Sequence, residues 1–238
     1  MRILIVDNNR EVHDYGSGSI VHWIRELAPP GSVIHVRRAP DLDLPDSPSA
    51  FDRIIISGSA WSCLDGSEWT ELLDQFLVRT MELDVPLLGI CYGHQALARA
   101  IEKRARKNPQ LRRAEKPEFG WIKVTKIASS PIFSGLDQEE FITFASHYEE
   151  VAVLPTGTKL LAQSHDCAIQ AFEVEKRLAF GIQFHPEYNV VEGELSLQEK
   201  NDLEHRAWLH EVGRGKEVYD DRVARVIFGN FINELKNK

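Results

Sequence analysis

Two short segments carry residue types that together can break an acyl bond. Cys91 stands in Gly89-Ile90-Cys91-Tyr92-Gly93, after the apolar run Val85 to Ile90 and before a stretch of helical character, Gln95 to Ile101. This is the cysteine counterpart of the strand-to-helix elbow that presents a nucleophilic serine. On so sharp a turn the nucleophile's backbone is strained, and side chains two residues to either side would strike the neighbouring chain, which glycine avoids. The free N–H groups and dipole of the following helix start favour a thiolate. The second segment is Gly181-Ile182-Gln183-Phe184-His185-Pro186-Glu187. A thiolate that attacks an amide needs a proton donor for the departing nitrogen, and histidine suits that task near neutral pH. Glu187 follows across a proline of fixed backbone angle. Its carboxylate can accept one ring N–H and leave the other nitrogen facing the sulfur.

Context singles these residues out. The chain has nine histidines, and His13, His22, His35, His94, His165, His205 and His210 read as surface or hydrogen-bonded residues. His147, in Ala145-Ser146-His147-Tyr148-Glu149, also follows a strand-like run and is a second candidate for lining the site. Cys63 and Cys167 have no elbow around them and read as small buried residues. Taken alone, Gly-x-Cys-x-Gly also fits a structural cysteine at an ordinary strand-to-helix turn.

The elements that would position these groups alternate. Ile3 to Val6, Ile54 to Ile56 and Val85 to Ile90 are short continuous apolar runs, the pattern of parallel strands buried on both faces. Helical stretches lie between them, Ile20 to Leu27 and Glu68 to Met81, and Val33 to Val36 adds a strand near an edge. This predicts an α/β fold with a doubly wound, mostly parallel central sheet and helices on both faces. After about Pro117 the chain is richer in strands: Trp121 to Ile127, Phe141 to Ala145, Lys159 to Gln163, Ala168 to Phe172 and Leu178 to Ile182. That part is expected to be smaller and partly antiparallel. Helices are expected over Glu199 to His210 and Arg222 to Leu235. Pro40 to Pro48, the basic Lys103 to Lys116 and Val191 to Gln198 read as loops. The 238 residues suit one domain over 1–238, with an insertion-like segment at about 191–221.

Composition excludes several classes. A net charge of −8 gives no general electrostatic support for nucleic-acid binding. Three cysteines without CxxC argue against a disulfide framework and a structural zinc site, and fit a reducing compartment. The N-terminal apolar run is too short for a signal peptide, and no apolar stretch reaches membrane-spanning length. A cytoplasmic location is expected. No phosphate- or dinucleotide-binding fingerprint is present, and nothing calls for a metal or an organic cofactor.

Together the segments resemble class I glutamine amidotransferases of the triad type. Gly-Ile-Cys91-Tyr-Gly-His-Gln95 is similar to that family's nucleophile motif, and Gly-Ile-Gln-Phe-His185-Pro-Glu187 to its His-Pro-Glu motif. Ile54-Ile55-Ile56-Ser57-Gly58-Ser59 sits where the family has a strand and a glycine-rich oxyanion loop. Within the family, Cys-Tyr-Gly-x-Gln and Glu118-Phe119-Gly120-Trp121 resemble the amidotransferase domain of GMP synthase. The resemblance implies a flavodoxin-like amidotransferase fold. It implies that Cys91 attacks the glutamine side-chain amide, with His185 and Glu187 completing a triad. It implies an oxyanion hole from the backbone of Gly58 or Ser59 and of Tyr92, and glutamine binding by Gln95 and the chain at Ser146 and His147. A γ-glutamyl thioester would form, and ammonia would pass to a separate synthetase partner.

Three departures from the family pattern keep other readings open. The usual Gly-Gly-Pro loop is Gly58-Ser59-Ala60. A long basic stretch replaces a short glycine turn after the nucleophile helix. About fifty residues follow the His-Pro-Glu motif. A free-standing γ-glutamyl hydrolase or peptidase would use the same groups on a larger leaving group. A non-catalytic relative that binds metabolites or proteins is the reading from a different class.

Overall fold

The computed structural model describes residues 1–10, 17–201 and 215–235. In chain order the elements are β1 (Arg2–Asp7), α1 (Ser17–Leu27), β2 (Val33–Arg38), β3 (Arg53–Ile56), α2 (Glu68–Glu82), β4 (Leu87–Ile90), α3 (Tyr92–Arg104), β5 (Leu111–Lys126), β6 (Glu140–Val151), β7 (Thr158–Ser164), β8 (Ala171–Val174), β9 (Ala179–Ile182), α4 (Val190–Asn201), α5 (Gly215–Val218) and α6 (Arg222–Gly229). A π-helical turn over Asn230–Glu234 continues α6.

The strands form one sheet in the order β2-β1-β3-β4-β9-β8-β7-β5-β6. The first five are parallel and the remaining pairings are antiparallel. The parallel half is doubly wound. Ile3 and Ile5 of β1 pack on one face with Ile20, Trp23 and Ile24 of α1 and with Ile227 and Phe228 of α6. Leu4 and Val6 pack on the other with Leu73, Phe76 and Leu77 of α2 and Ala96 and Leu97 of α3. Period-two alternation in a strand serves both cores at once, so β1, β3 and β4 read as unbroken apolar runs. Each large apolar side chain buried this way contributes about 1.5–3 kcal/mol over leaving it exposed.

Two loop expectations are corrected. Lys103 to Lys116 is not one loop, because α3 runs to Arg104 and β5 begins at Leu111. The side chains of Arg112, Arg113, Glu115 and Lys116 are exposed while residues 111–113 pair with β6, so charge masked a strand. Val191 to Gln198 is helical, inside α4. Asn189 Oδ1 accepts from the N–H groups of Val191 and Glu192, and Glu192 Oε2 accepts from the N–H of Asn189. That reciprocal capping, Asn followed three residues later by Glu, starts a helix without an apolar stripe. The expected helix Glu199 to His210 overlaps the end of α4, and residues 202–210 lie outside the described residues, as does much of the segment 191–221.

Among the described residues, no helix is long and apolar enough to cross a membrane.

Candidate active site

Four parallel strands, β1, β3, β4 and β9, point their carboxyl ends the same way, and the segments leaving them converge there. This is the edge at which open α/β sheets bind ligands. β4 ends at Ile90, Cys91 follows, and α3 begins at Tyr92. Cys91 has φ 50 and ψ −104, a strained conformation for a residue with a side chain. The flanking glycines permit it. A Cβ on Gly89 would lie 2.4 Å from the Gly93 carbonyl oxygen, and one on Gly93 would lie 2.4 Å from the Ile56 carbonyl oxygen. The elbow is pressed against β3, and only hydrogen fits at either contact.

β9 brings the histidine. It pairs with β4, and the Cys91 N–H donates to Ile182 O at 2.8 Å, so the two motifs are joined by a backbone hydrogen bond. Beyond β9 the His185 N–H donates to Phe144 O at 2.7 Å, which anchors the turn on β6. His185 Nδ1 meets Glu187 Oε1 at 2.7 Å, and Cys91 is close enough to the ring to act on it electrostatically. Both residues lie against Gly58, where a Cβ would be 2.9 Å from His185 Cε1 and 3.5 Å from Cys91 Cβ. Burial pushes the His185 pKa down, but the charges of Glu187 and Cys91 and the hydrogen bond to Glu187 outweigh it, raising it to about 10. The imidazolium is therefore the resting form near neutral pH.

Other groups hold this set. Tyr188 stacks on the His185 ring at 4.9 Å between centroids, and Trp23 Nε1 donates to the Glu187 carbonyl at 3.1 Å. Neither was singled out in the sequence. An aromatic directly after His-Pro-Glu was the available signal for Tyr188, whereas Trp23 lies far away on α1.

The loop after β3 carries Gly58 and Ser59. Ser57 Oγ accepts from the Asn8 N–H at 3.1 Å, and Asn8 Nδ2 donates to Ser57 O at 2.8 Å. Ser59 Oγ donates to Asn8 O at 2.8 Å and accepts from the Trp61 N–H at 3.0 Å. Thus the serine that replaces the family's second glycine ties the loop to the end of β1. Tyr92 is the first residue of α3, whose initial N–H groups have no intrahelical acceptor.

Ser146 approaches the sulfur through its backbone, with Cys91 Sγ 3.8 Å from Ser146 O. Gln95 and His147 lie one layer deeper. Gln95 Nε2 donates to Glu149 O at 2.8 Å, and the ring nitrogens of His147 meet Glu149 O at 3.1 Å and Glu118 Oε2 at 2.9 Å. His94, next to the elbow, is fully buried, and burial pushes its pKa down to about 3, so it is neutral.

Among the described residues, one group could hold a metal. Donor atoms of Glu118, His147 and Cys167 lie within 4.8 Å of one another, a ligand set of the zinc type. However, Glu118 and His147 are hydrogen-bonded to each other, and Ser164 and Gln170 also donate to the carboxylate. The set is satisfied without an ion. A cavity of about 590 Å³ lies beside Glu187, lined by Ser19, Trp23, Glu192, Tyr219 and Arg225 among others, but neither Cys91 nor His185 reaches it.

With this fold and site in view, the comparisons define the class. Residues 11–202 match the family described as glutamine amidotransferase class-I, and the chain belongs to that family. It is 37% identical over 115 residues to the glutamine-hydrolyzing GMP synthase subunit of Methanococcus vannielii, covering 48% of this chain and 57% of that protein. It is 34% identical over 147 residues to the protein of the same description from Saccharolobus solfataricus, covering 62% and 73%. The matched region thus spans little more than half the length of the first of these relatives. Its fold is similar to that of a glutamine amido transferase from Methylobacillus flagellatus, with TM-score 0.79, 20% identity, and coverage of 100% of this chain and 96% of the other.

Proposed function

We propose that this chain hydrolyses the side-chain amide of glutamine and delivers the ammonia to a separate synthetase. The observation that carries the reading is one imidazole bonded to Glu187 and lying with Cys91 against Gly58. Family membership supports glutamine as the substrate. The description of those relatives as one subunit of a GMP synthase supports a partner that carries the acceptor chemistry.

In this mechanism the Cys91 thiolate attacks the amide carbon. The carbonyl electron pair moves onto oxygen, which the N–H groups of Tyr92 and of Gly58 or Ser59 receive. Losing one such donor costs about 3 kcal/mol of transition-state stabilisation. The intermediate collapses, the C–N bond breaks, and the His185 imidazolium gives its proton to the leaving nitrogen, so ammonia departs and a γ-glutamyl thioester remains. His185, now neutral, takes a proton from water, whose oxygen attacks the thioester carbon. The C–S bond breaks, glutamate leaves, and the thiolate–imidazolium pair is restored. Glu187 holds the ring and its positive charge throughout. Ser146 and the chain at His147 receive the α-amino and carboxyl end of glutamine, with Gln95 behind them.

The test is a panel of glutamine and γ-glutamyl dipeptides, run with wild type, Cys91→Ala, His185→Ala and Glu187→Ala. Glutamine turnover is expected in wild type, rising when the synthetase partner is added. Cys91→Ala and His185→Ala should abolish it, and Glu187→Ala should leave residual activity, because orientation is only part of the effect. Faster cleavage of the dipeptides, unaffected by any partner, would instead make this a free-standing γ-glutamyl hydrolase.

A further inference from the structure

Behind the nucleophile lies a circuit of buried polar groups that take no direct part in this chemistry. Its hub is Glu118 on β5, 2% exposed. The Glu118 carboxylate has three partners: His147 Nε2 at 2.9 Å and Gln170 Nε2 at 2.6 Å, both on Oε2, and Ser164 Oγ at 2.7 Å on Oε1. The other His147 ring nitrogen meets Glu149 O, which also accepts from Gln95 Nε2. Gln95 donates in turn to Gln183 Oε1 at 3.1 Å, and the Gln183 N–H donates to Gln170 O at 2.8 Å. The circuit thus joins the helix that follows Cys91, the segment that precedes His185, and the strand whose Ser146 carbonyl faces the sulfur.

A local irregularity puts Glu118 there. Arg113 pairs with Glu149 but Glu118 pairs with His147, so β5 carries extra residues at this point. Pro117, which has no N–H for a ladder bond, lies among them.

We propose that Glu118 is a positioning residue for glutamine binding: through His147 it holds the Ser146–Glu149 stretch of β6 at the spacing from Cys91 that the α-amino and carboxyl end of glutamine requires. This rests on the glutaminase reading above. Glu118 does not touch the substrate, and its effect passes through β6.

Glu118→Gln is a near-isosteric test. Its amide oxygen keeps the place facing His147 and Gln170, and its NH₂ faces Ser164 Oγ, which already accepts from the Cys167 N–H and Gln170 Nε2, so the Ser164 contact is the one weakened. Packing survives, while the carboxylate that receives His147, Gln170 and Ser164 becomes a neutral amide. KM for glutamine is expected to rise about tenfold or more, the size of one hydrogen bond to a charged group. The kcat should change little, and Cys91 should still react with iodoacetamide within about twofold of the wild-type rate, because its contact with His185 is untouched. His147→Gln should give a similar rise in KM, and the double variant should be no worse than the worse single one, since both break one circuit. If Glu118→Gln fails to fold, Ser164→Ala removes one neutral donor and should still raise KM by about threefold. Wild-type kinetics in a Glu118→Gln protein with a lowered melting temperature would make the residue structural only and overturn the proposal. A slowed kcat and slowed alkylation at unchanged KM would place its action on the nucleophile and overturn it too. A wild type that leaves glutamine intact would instead overturn the reading beneath it.

Discussion

His185 Nδ1 and Glu187 Oε1 lie 2.7 Å apart, and both side chains are almost fully buried. An ion pair so placed survives only because each charge is met by another. Burial opposes the imidazolium, while Glu187 and Cys91 favour it more strongly and carry the ring's pKa from the ordinary value near 6.5 up to about 10. A raised pKa in the folded state means that protonation stabilises the fold. That contribution is complete below about pH 6.5 and fades as the pH climbs toward about 10. The denaturation midpoints of wild type and His185→Gln, followed from about pH 6 to about pH 10, should show the wild-type advantage shrinking. An advantage that grows with pH would give the interaction the opposite sign.

The three thiols should react unequally. Burial pushes the Cys63 pKa up to about 12, with Asp74, Glu149 and Cys91 adding to the rise and Arg99 only partly offsetting it. Burial, followed by the negative charge of Glu118, also pushes Cys167 up. Both therefore stay protonated and inert near neutral pH. Iodoacetamide on the native protein, read by peptide mass mapping, should label Cys91 first and leave the other two until the protein unfolds. Equal labelling of all three would remove the basis for an activated Cys91.

The elbow exchanges stability for reactivity. Gly89→Ala and Gly93→Ala each drive a Cβ into backbone that has no room to move, so each should cost about 3 kcal/mol or prevent folding. Gly66 has nothing within 4 Å of a built Cβ and offers a control, with Gly66→Ala within about 0.5 kcal/mol of wild type. At Cys91 the strain sits on the residue itself, with φ 50. Cys91→Gly should be more stable than Cys91→Ala by about 1 kcal/mol, because glycine adopts that φ freely, and both should be inactive. Urea midpoints of these variants decide the point. A stable Gly93→Ala would mean that the elbow stands further from β3.

The same residues show what was legible beforehand. Glycines around Cys91 and the proline between His185 and Glu187 are local constraints, written into neighbouring positions. The loop at Gly58 and Ser59 was placed by its strand, yet its anchoring on Asn8 depends on a contact 51 residues away, Ser59 Oγ to Asn8 O, which no local pattern encodes. Periodicity failed where it had no apolar partner to report. The start of β5 is charged because its side chains are exposed, and α4 is set by its Asn189–Glu192 cap rather than by a stripe. The circuit around Glu118 was invisible because it joins α3, β5, β6 and the ends of β7, β8 and β9, and only the strand order brings these together.

The far end of the loop that begins at Gly58 depends on a buried ion pair. Arg99 Nε lies 3.0 and 2.9 Å from the two oxygens of Asp74, and Arg99 Nη1 donates to the Cys63 carbonyl at 3.0 Å. From the other side Glu149 accepts from Ser62 Oγ at 2.6 Å and from the Cys63 N–H at 2.9 Å. The end of the loop that begins at Gly58 is thus clamped between α3 and β6. Arg99→Leu leaves Asp74 buried with only Lys103, 2.8 Å away, to answer its charge, and should cost about 3–5 kcal/mol. Removing both charges in Asp74→Leu/Arg99→Leu should cost less than Arg99→Leu alone, because no unpaired buried charge remains. The double variant still lacks the bond to Cys63, so its glutamine turnover should stay below wild type although its stability recovers. Denaturant titrations beside glutaminase assays on the single and double variants separate the two effects. Full activity in the double variant would show that the loop keeps its shape without Arg99.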